Sequence, residues 1–361
     1  MKTIKVNLKE KSYKIVIGEK ILSRLGFAVK GLGLGTDAVI ISSPNIIKLH
    51  GPSIANGLSQ AGFNHSFIPV PDGEKSKSAE TAISLLENIA QHDVKKKSFI
   101  VALGGGVIGD LSGFVAAVYK RGIPYIQVPT TLLAQIDSAI GGKTAIDLRV
   151  GKNLVGAFYQ PRIVYSDIEV LKTLSEHQIR NGLAEAIKYG VIKDKTLFHY
   201  IEKNFVRLLS RDAQALSHVV FKCSQIKARV VAQDEKETKG IRTILNFGHT
   251  VGHAIEAAGK FSVYEHGEAV ALGMRVAVSI SEKVRLLSKS DANAINQLIS
   301  DVGLPKRIRN ISLKDILSMM QHDKKFKAGR NRFVLAKRIG QVKVQEGVSS
   351  KFIAEAIAVY F

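Results

Sequence analysis

His249 and His253 stand one helical turn apart in Asn246-Phe247-Gly248-His249-Thr250-Val251-Gly252-His253, and His266-Gly267-Glu268 follows downstream. Residues four positions apart share a helix face, so both imidazoles can enter one cavity. An upstream carboxylate, Glu185 in Gly182-Leu183-Ala184-Glu185-Ala186-Ile187-Lys188-Tyr189-Gly190, is able to complete a set of two histidines and one carboxylate. Such a set holds a divalent metal and leaves a fourth position open for substrate. Spacing alone favours two ordinary polar residues on a helix, so the surrounding sequence decides.

A second chemistry is written in glycines. Leu103-Gly104-Gly105-Gly106-Val107-Ile108-Gly109-Asp110 follows an expected strand and opens an expected helix. Gly104, Gly106 and Gly109 have the spacing that lets backbone amides approach a pyrophosphate at a positive helix end. No acidic residue stands about 20 residues on to mark a ribose, so an ordinary dinucleotide fingerprint is incomplete. Pro129-Thr130-Thr131 and Asp137-Ser138-Ala139-Ile140-Gly141-Gly142-Lys143-Thr144 add hydroxyls, a carboxylate and a lysine, and Gly151-Lys152-Asn153 adds a cation and an amide. Each is ordinary turn chemistry by itself. Their accumulation in one half of the chain favours a polyanion site.

The elements that must position these residues divide by periodicity. Before Thr173, Ala38 to Ile41, Ser98 to Leu103 and Tyr125 to Val128 read as buried strands, and Ala79 to Gln91, Val107 to Lys120 and Thr131 to Ile140 as helices between them. This is the rhythm of an α/β domain with a mainly parallel sheet. Ile4, Val6, Leu8 and Tyr13, Ile15, Ile17 alternate about Lys9-Glu10-Lys11-Ser12 as a hairpin. After Thr173 helices dominate: Gln178 to Val191, Leu216 to Ala232, His249 to Ala258 and Gly267 to Lys289, with Ser175 and Gln178 as a capping box. Arg332 to Leu335 and Gln341 to Val344 suggest one small hairpin. The expected boundary lies near Thr173.

Composition excludes some classes. The 361 residues, 45% hydrophobic and 23% charged, suit a globular protein of two domains. No apolar run is long enough for a membrane helix, and a cytoplasmic location is the default. The single Cys223 permits no internal disulfide and no Cys-x-x-Cys site. Fifty-two Lys and Arg against 31 Asp and Glu give a formal +21. The cations are dispersed, with short clusters at Lys95-Lys96-Lys97 and Lys324-Lys325, which favours small anionic ligands over specific nucleic-acid recognition.

Together these blocks resemble the 3-dehydroquinate synthase family over essentially the whole chain. The resemblance rests on Pro71-Asp72-Gly73-Glu74-x-x-Lys77, the Gly104 to Asp110 loop, Val128-Pro129-Thr130-Thr131-Leu132-Leu133, Gly141-Gly142-Lys143-Thr144, Gly151-Lys152-Asn153, Glu185 to Gly190, Asn246 to Thr250 and His266-Gly267-Glu268. It implies a dehydroquinate synthase-like architecture. An α/β N-terminal nucleotide-binding domain would span 1–173 and an all-helical C-terminal domain, small hairpin aside, 174–361, with an active cleft between them and a homodimeric assembly.

The resemblance further implies that Glu185, His249 and His266 hold one divalent metal, zinc being expected and cobalt the alternative. His253 is then left for hydrogen bonding or proton transfer. NAD contacts are implied for Asp72, Glu74, Lys77, Gly106, Val107, Asp110, Thr130, Thr131, Lys143, Lys152, Leu171, Lys172 and Thr173. The implied substrate is 3-deoxy-D-arabino-heptulosonate 7-phosphate. Lys143, Lys188, Lys227, Arg242, Asn246 and His253 take the catalytic positions, and Arg121, Lys152, Asn153 and Lys324 the other substrate contacts. Arg242 suits bidentate binding of a carboxylate, while lysines act as point charges.

The implied reaction is a transient NAD-dependent oxidation, phosphate elimination, re-reduction and aldol ring closure, giving 3-dehydroquinate with no net consumption of NAD. Three residues depart from the family's usual pattern: Ser43, Ala139 and Asp147. The competing readings are a cyclase of the same superfold acting on another polyol phosphate, a metal-dependent polyol dehydrogenase, and a basic nucleic-acid-binding protein on a cyclase-like scaffold.

Overall fold

The computed structural model describes residues 1–93, 97–322 and 331–361. Lys95, Lys96, Lys324 and Lys325 lie outside the described residues. In chain order the strands are β1 (Lys2–Val6), β2 (Tyr13–Gly18), β3 (Asp37–Ser42), β4 (Asn64–Pro69), β5 (Ser98–Gly104), β6 (Tyr125–Pro129), β7 (Lys143–Leu148), β8 (Gly151–Phe158), β9 (Ile163–Asp167), β10 (Arg332–Arg338) and β11 (Gln341–Glu346). The helices are α1 (Leu25–Lys30), α2 (Pro44–Gln60), α3 (Ala79–His92), α4 (Gly106–Val118), α5 (Glu176–Lys193), α6 (Lys195–Leu209), α7 (Ala213–Gln233), α8 (His249–Ala258), α9 (His266–Lys283), α10 (Lys289–Asp301), α11 (Leu313–His322) and α12 (Ser350–Ala358).

Two compact units divide these elements. The first comprises Met1–Leu174 and Leu216–Lys236, the second Ser175–Ala215 and Glu237–Phe361. A single crossing near Thr173 leaves no place for the return of Leu216–Lys236, because helical periodicity does not say which core a helix joins. Here α7 buries Leu216, Val219, Val220 and Cys223, and Ser224 Oγ donates to Gln135 O of the first unit at 3.2 Å.

In the first unit a seven-stranded sheet runs β1-β2-β9-β6-β5-β3-β4. Only β1 is antiparallel to its neighbour, pairing Ile4 with Ile15 in the expected hairpin. The central strands are continuous apolar runs because both of their faces are covered; every residue of β5 is buried. Chain order reverses between β3 and β5, so the carboxyl ends of these two strands flank the crevice where open α/β sheets take ligands.

One local expectation changes in kind here and another fails. The segment Thr131 to Ile140 contains a π-helical turn, Ala134–Ser138. The polar cluster that reads as successive loops forms the antiparallel hairpin β7–β8, with Thr144 opposite Ala157.

The second unit packs Val251, Ile255, Leu272, Val276, Ile280 and Ile316 from its helices against Phe333 and Leu335 of the β10–β11 hairpin. The capping box of α5 forms as the sequence suggests, Ser175 Oγ accepting from Gln178 N–H at 3.2 Å. The helix expected to reach Lys289 stops at Lys283. Arg285 takes a left-handed φ of 59° and the Leu286 N–H turns back to Ser281 O, which breaks the ladder.

Candidate metal centre and nucleotide-binding site

Helices α5, α8 and α9 place Glu185, His249 and His266 together. Glu185 Oε1 lies 3.2 Å from His249 Nε2 and 3.3 Å from His266 Nε2. The other ring nitrogens are engaged, His249 Nδ1 with Phe247 O at 3.2 Å and His266 Nδ1 with Glu256 Oε2 at 3.4 Å. A carbonyl only accepts, so His249 Nδ1 carries the proton in that bond and Nε2 presents a lone pair towards Glu185. Glu256 orients His266 in the way that carboxylates orient metal-bound imidazoles.

Close backbone contact explains why three helices can meet at one carboxylate. Gly248, the residue before α8, has φ 80°, and a Cβ there would come within 2.6 Å of Met274 Cγ. On the facing helix, a Cβ on Gly273 would run into Gly248 O. Gly267 lies against Asn181, whose Oδ1 accepts the Gly267 N–H. Asn181 is one turn before Glu185 on α5, so this bond sets the start of α9, and with it His266, beside the carboxylate. His177 reinforces the docking between Glu265 at 3.4 Å and Glu268 at 3.1 Å.

The electrostatics suit a cation. Burial opposes ionisation of Glu185, but the Lys188 ammonium, in ion contact with it, and then His249 outweigh burial and hold its carboxyl well below the usual range. Both Glu185 oxygens are nevertheless buried without a hydrogen bond of ordinary geometry. Burial lowers His249, with Glu185 opposing. For His266 burial also disfavours the charged ring, yet hydrogen bonds with Glu185 and Glu256 prevail and push it up to about 10. Two imidazole nitrogens and one carboxylate, all within 4.8 Å of one another, fit a divalent metal.

Around this cluster stand other residues named from the sequence. His253 is exposed, its ring 5.2 Å from that of His249 and 6.1 Å from that of His266. With Glu256 and His266 it forms a second potential ligand group. The buried carboxylate and the engaged His249 Nδ1 favour the first. Lys188 is buried over the Tyr189 ring at 4.8 Å. Arg242, buried, meets Glu237 at 3.1 Å, and Asn246 closes the 3-10 turn Ile241–Asn246 that leads into Gly248.

In the first unit the named residues follow strand ends. Gly105 caps α4, so the amides of Gly106 and Val107 open a helix directly after β5. Next to this turn, Ser43 after β3 and Thr130 after β6 bury hydroxyls that have no hydrogen-bond partner among the described residues. Such orphaned groups, beside helix-start amides at the switch point, fit a nucleotide carrying phosphates and hydroxyls. Thr131 Oγ1 is engaged by the Ala134 N–H at 3.1 Å.

Lys77 Nζ, buried, reaches Asp110 Oδ2 at 2.6 Å and also Asn153 Oδ1. Burial raises the Asp110 carboxyl against the opposing charge of Lys77. Asn153 holds a φ of 56° and donates its N–H to Asp147 Oδ1 at 2.7 Å, so the departure at Asp147 fixes this turn. Lys152 lies 3.5 Å from Glu74, and Lys227 Nζ donates to Asp137 O at 2.6 Å in the π-helical turn. Lys143, exposed, opens β7.

The remaining named residues lie on other turns or outside the described residues. Leu171, Lys172 and Thr173 share a 3-10 turn after β9, where Leu171 is buried and Lys172 pairs with Glu169 at 2.8 Å. Asp72 is exposed before Gly73. Arg121 follows the far end of α4, roughly 20 Å from the glycine turn by helix rise. Lys324 lies outside the described residues. The sequence reading passed over Glu256 and Asn181, although their helical spacing from His253 and Glu185 places each on the ligand face.

Comparison with known proteins gives the class first. A 2-deoxy-scyllo-inosose synthase, solved with carbaglucose-6-phosphate, NAD+ and Co2+, matches with a TM-score of 0.91 at 26% identity over 100% of both chains. A 2-epi-5-epi-valiolone synthase from Streptomyces hygroscopicus, with NAD+ and Zn2+ bound, matches with a TM-score of 0.88 at 25% identity over 98% of each chain. The fold is that of dehydroquinate synthase-like synthases.

The family models for the 3-dehydroquinate synthase N-terminal and C-terminal parts match residues 67–181 and 182–326. A 3-dehydroquinate synthase from Desulforamulus reducens is 45% identical over 359 residues, covering 99% of this chain and 100% of its own length. The chain belongs to the 3-dehydroquinate synthase family.

Proposed function

We propose that this chain converts 3-deoxy-D-arabino-heptulosonate 7-phosphate to 3-dehydroquinate and phosphate in the shikimate pathway, as a lyase dependent on NAD and one divalent metal. The single observation that carries the reading is the buried Glu185 carboxylate facing the Nε2 atoms of His249 and His266, in a chain of this family. When bound, the divalent ion acidifies a substrate alcohol, and NAD takes up a hydride and returns it.

The chain's own residues supply position and charge. Glu185, His249 and His266 hold the metal, with Phe247 O and Glu256 fixing the rings. The amides of Gly106 and Val107 receive the cofactor pyrophosphate, and Asp72, Glu74, Lys77, Asp110, Thr130, Thr131 and the Leu171 to Thr173 turn serve its remaining groups. Arg242 takes the substrate carboxylate. Lys143, Lys152, Asn153, Lys188, Lys227, Asn246, Arg121 and Lys324 bind or neutralise its other groups, consistent with the formal +21 of the sequence. His253, exposed beside the metal ligands, holds or relays a proton.

The enzyme acts as a cytoplasmic homodimer, recognising no specific nucleic acid. The family resemblance and the single, buried Cys223 support this, and among the described residues no helix is long and apolar enough to cross a membrane. The decisive experiment incubates the full chain with the heptulosonate phosphate, catalytic NAD and zinc. Equimolar dehydroquinate and phosphate without net NADH is the expected result. Steady NADH accumulation would instead make it a polyol dehydrogenase, and turnover confined to another polyol phosphate a different cyclase.

A further inference from the structure

Farther along α9, roughly 14 Å past His266 by helix rise, Arg275 is buried at 5% exposure. Its Nε donates to Pro305 O at 3.2 Å, Nη1 to Asn296 Oδ1 at 3.4 Å and Nη2 to Ser300 Oγ at 2.8 Å. All three acceptors are neutral, and among the described residues no carboxylate lies within ion-pair distance of the guanidinium. Burying a charge without a counter-ion is costly. A guanidinium has five N–H donors; among the described residues these bonds use three and leave one on each terminal nitrogen, and one donor from each of two nitrogens is what a bidentate carboxylate takes.

Arg275 borders an open groove of about 510 Å3, whose other walls are Glu202 of α6 and Asn293, Ala294, Asn296, Gln297 and Ser300 of α10, all polar but Ala294. That volume suits a small ligand. The walls are polar, so an apolar occupant has little to match. Glu202, paired with His199 at 2.9 Å, is the groove's acid and repels a second negative charge. Asn293 and Gln297 are both exposed; Gln297 Nε2 donates to Asp301 Oδ1 at 2.7 Å, so its amide oxygen, like the Asn293 amide, is the group left to meet a hydroxyl.

We propose that this groove is a binding site for a small hydroxylated monocarboxylate, with its carboxylate on Arg275 and its hydroxyls on Asn293 and Gln297. The site shares no residue with the metal centre and does not rest on the assigned reaction.

Calorimetric titration of the full chain with sodium glycerate tests it, with inorganic phosphate and sodium chloride at equal ionic strength as comparators. Glycerate should bind saturably in the millimolar range. Arg275→Lys, which keeps the charge but loses the fork, should weaken binding by about tenfold, the scale of one charge-assisted hydrogen bond. Asn293→Leu, on the exposed wall, should weaken it similarly and decides the question if Arg275→Lys does not fold. Three results would overturn the proposal: no saturable binding by folded wild type, binding unchanged in the folded variants, or an equal response to chloride or phosphate.

Discussion

In the second unit the reactive side chains stand on the faces of three helices and converge on a buried carboxylate. In the first they follow the carboxyl ends of parallel strands, among backbone amides and partly open side chains. The metal cluster therefore depends on how α5, α8 and α9 pack, and a backbone shift in any of them moves a ligand. The nucleotide half depends on the local course of short turns held by a sheet that persists without them. Substitutions should consequently couple stability to function in the helical unit and separate the two in the α/β unit.

The largest expected effect tests the first half of that contrast. Glu185→Gln should release the bound metal and lower turnover by about 10^3-fold or more, several kcal/mol of lost electrophilic stabilisation. Metal content by mass spectrometry checks it, and a full complement of metal in the variant would remove Glu185 from the ligand set. Gly273→Ala drives a methyl group into Gly248 O and should cost about 3 kcal/mol of stability. Denaturant unfolding reads that cost, and an unchanged midpoint would show that the α8–α9 contact yields easily.

Glu256→Ala leaves the three ligands in place but releases His266 Nδ1, so metal affinity should fall roughly 10- to 100-fold in chelator competition. An unaltered affinity would mean that Glu256 merely fills space. In the first unit, a Cβ on Gly106 would meet, among the described residues, Ser138 alone, with Oγ at 3.1 Å and Cβ at 3.6 Å. Gly106→Ala should hold stability within about 0.5 kcal/mol while weakening NAD by about tenfold. A large loss of stability would erase the contrast between the units. Smallest of all, Ser78→Ala removes the side-chain cap of α3 and should cost about 1 kcal/mol in thermal unfolding with no change in metal content.

The legible part of this chain follows the same division. The glycine turn could be read because strand, turn and helix start are contiguous, and the local rules for each agree. The hairpin β7–β8 was hidden because its strands are polar and punctuated by glycine, which read as loops. Of the metal centre, the histidine pair was visible as spacing. That His266 joins His249 while His253 stays exposed depends on Gly267 docking against Asn181, a contact no local pattern contains. Glu185 can be offered from the sequence as the completing carboxylate, and family resemblance assigns it; its burial beside Lys188 is a property of packing.

The return of α7 to the first unit carries a consequence for biosynthesis. When Leu174 leaves the ribosome, the sheet is complete in sequence, but α7, which buries Val219, Val220 and Cys223 within the same unit, has not been made. Residues 175–215 must be translated first, and they belong elsewhere. The nascent first unit therefore waits without one of its helices, a state in which chaperone capture and aggregation compete with maturation.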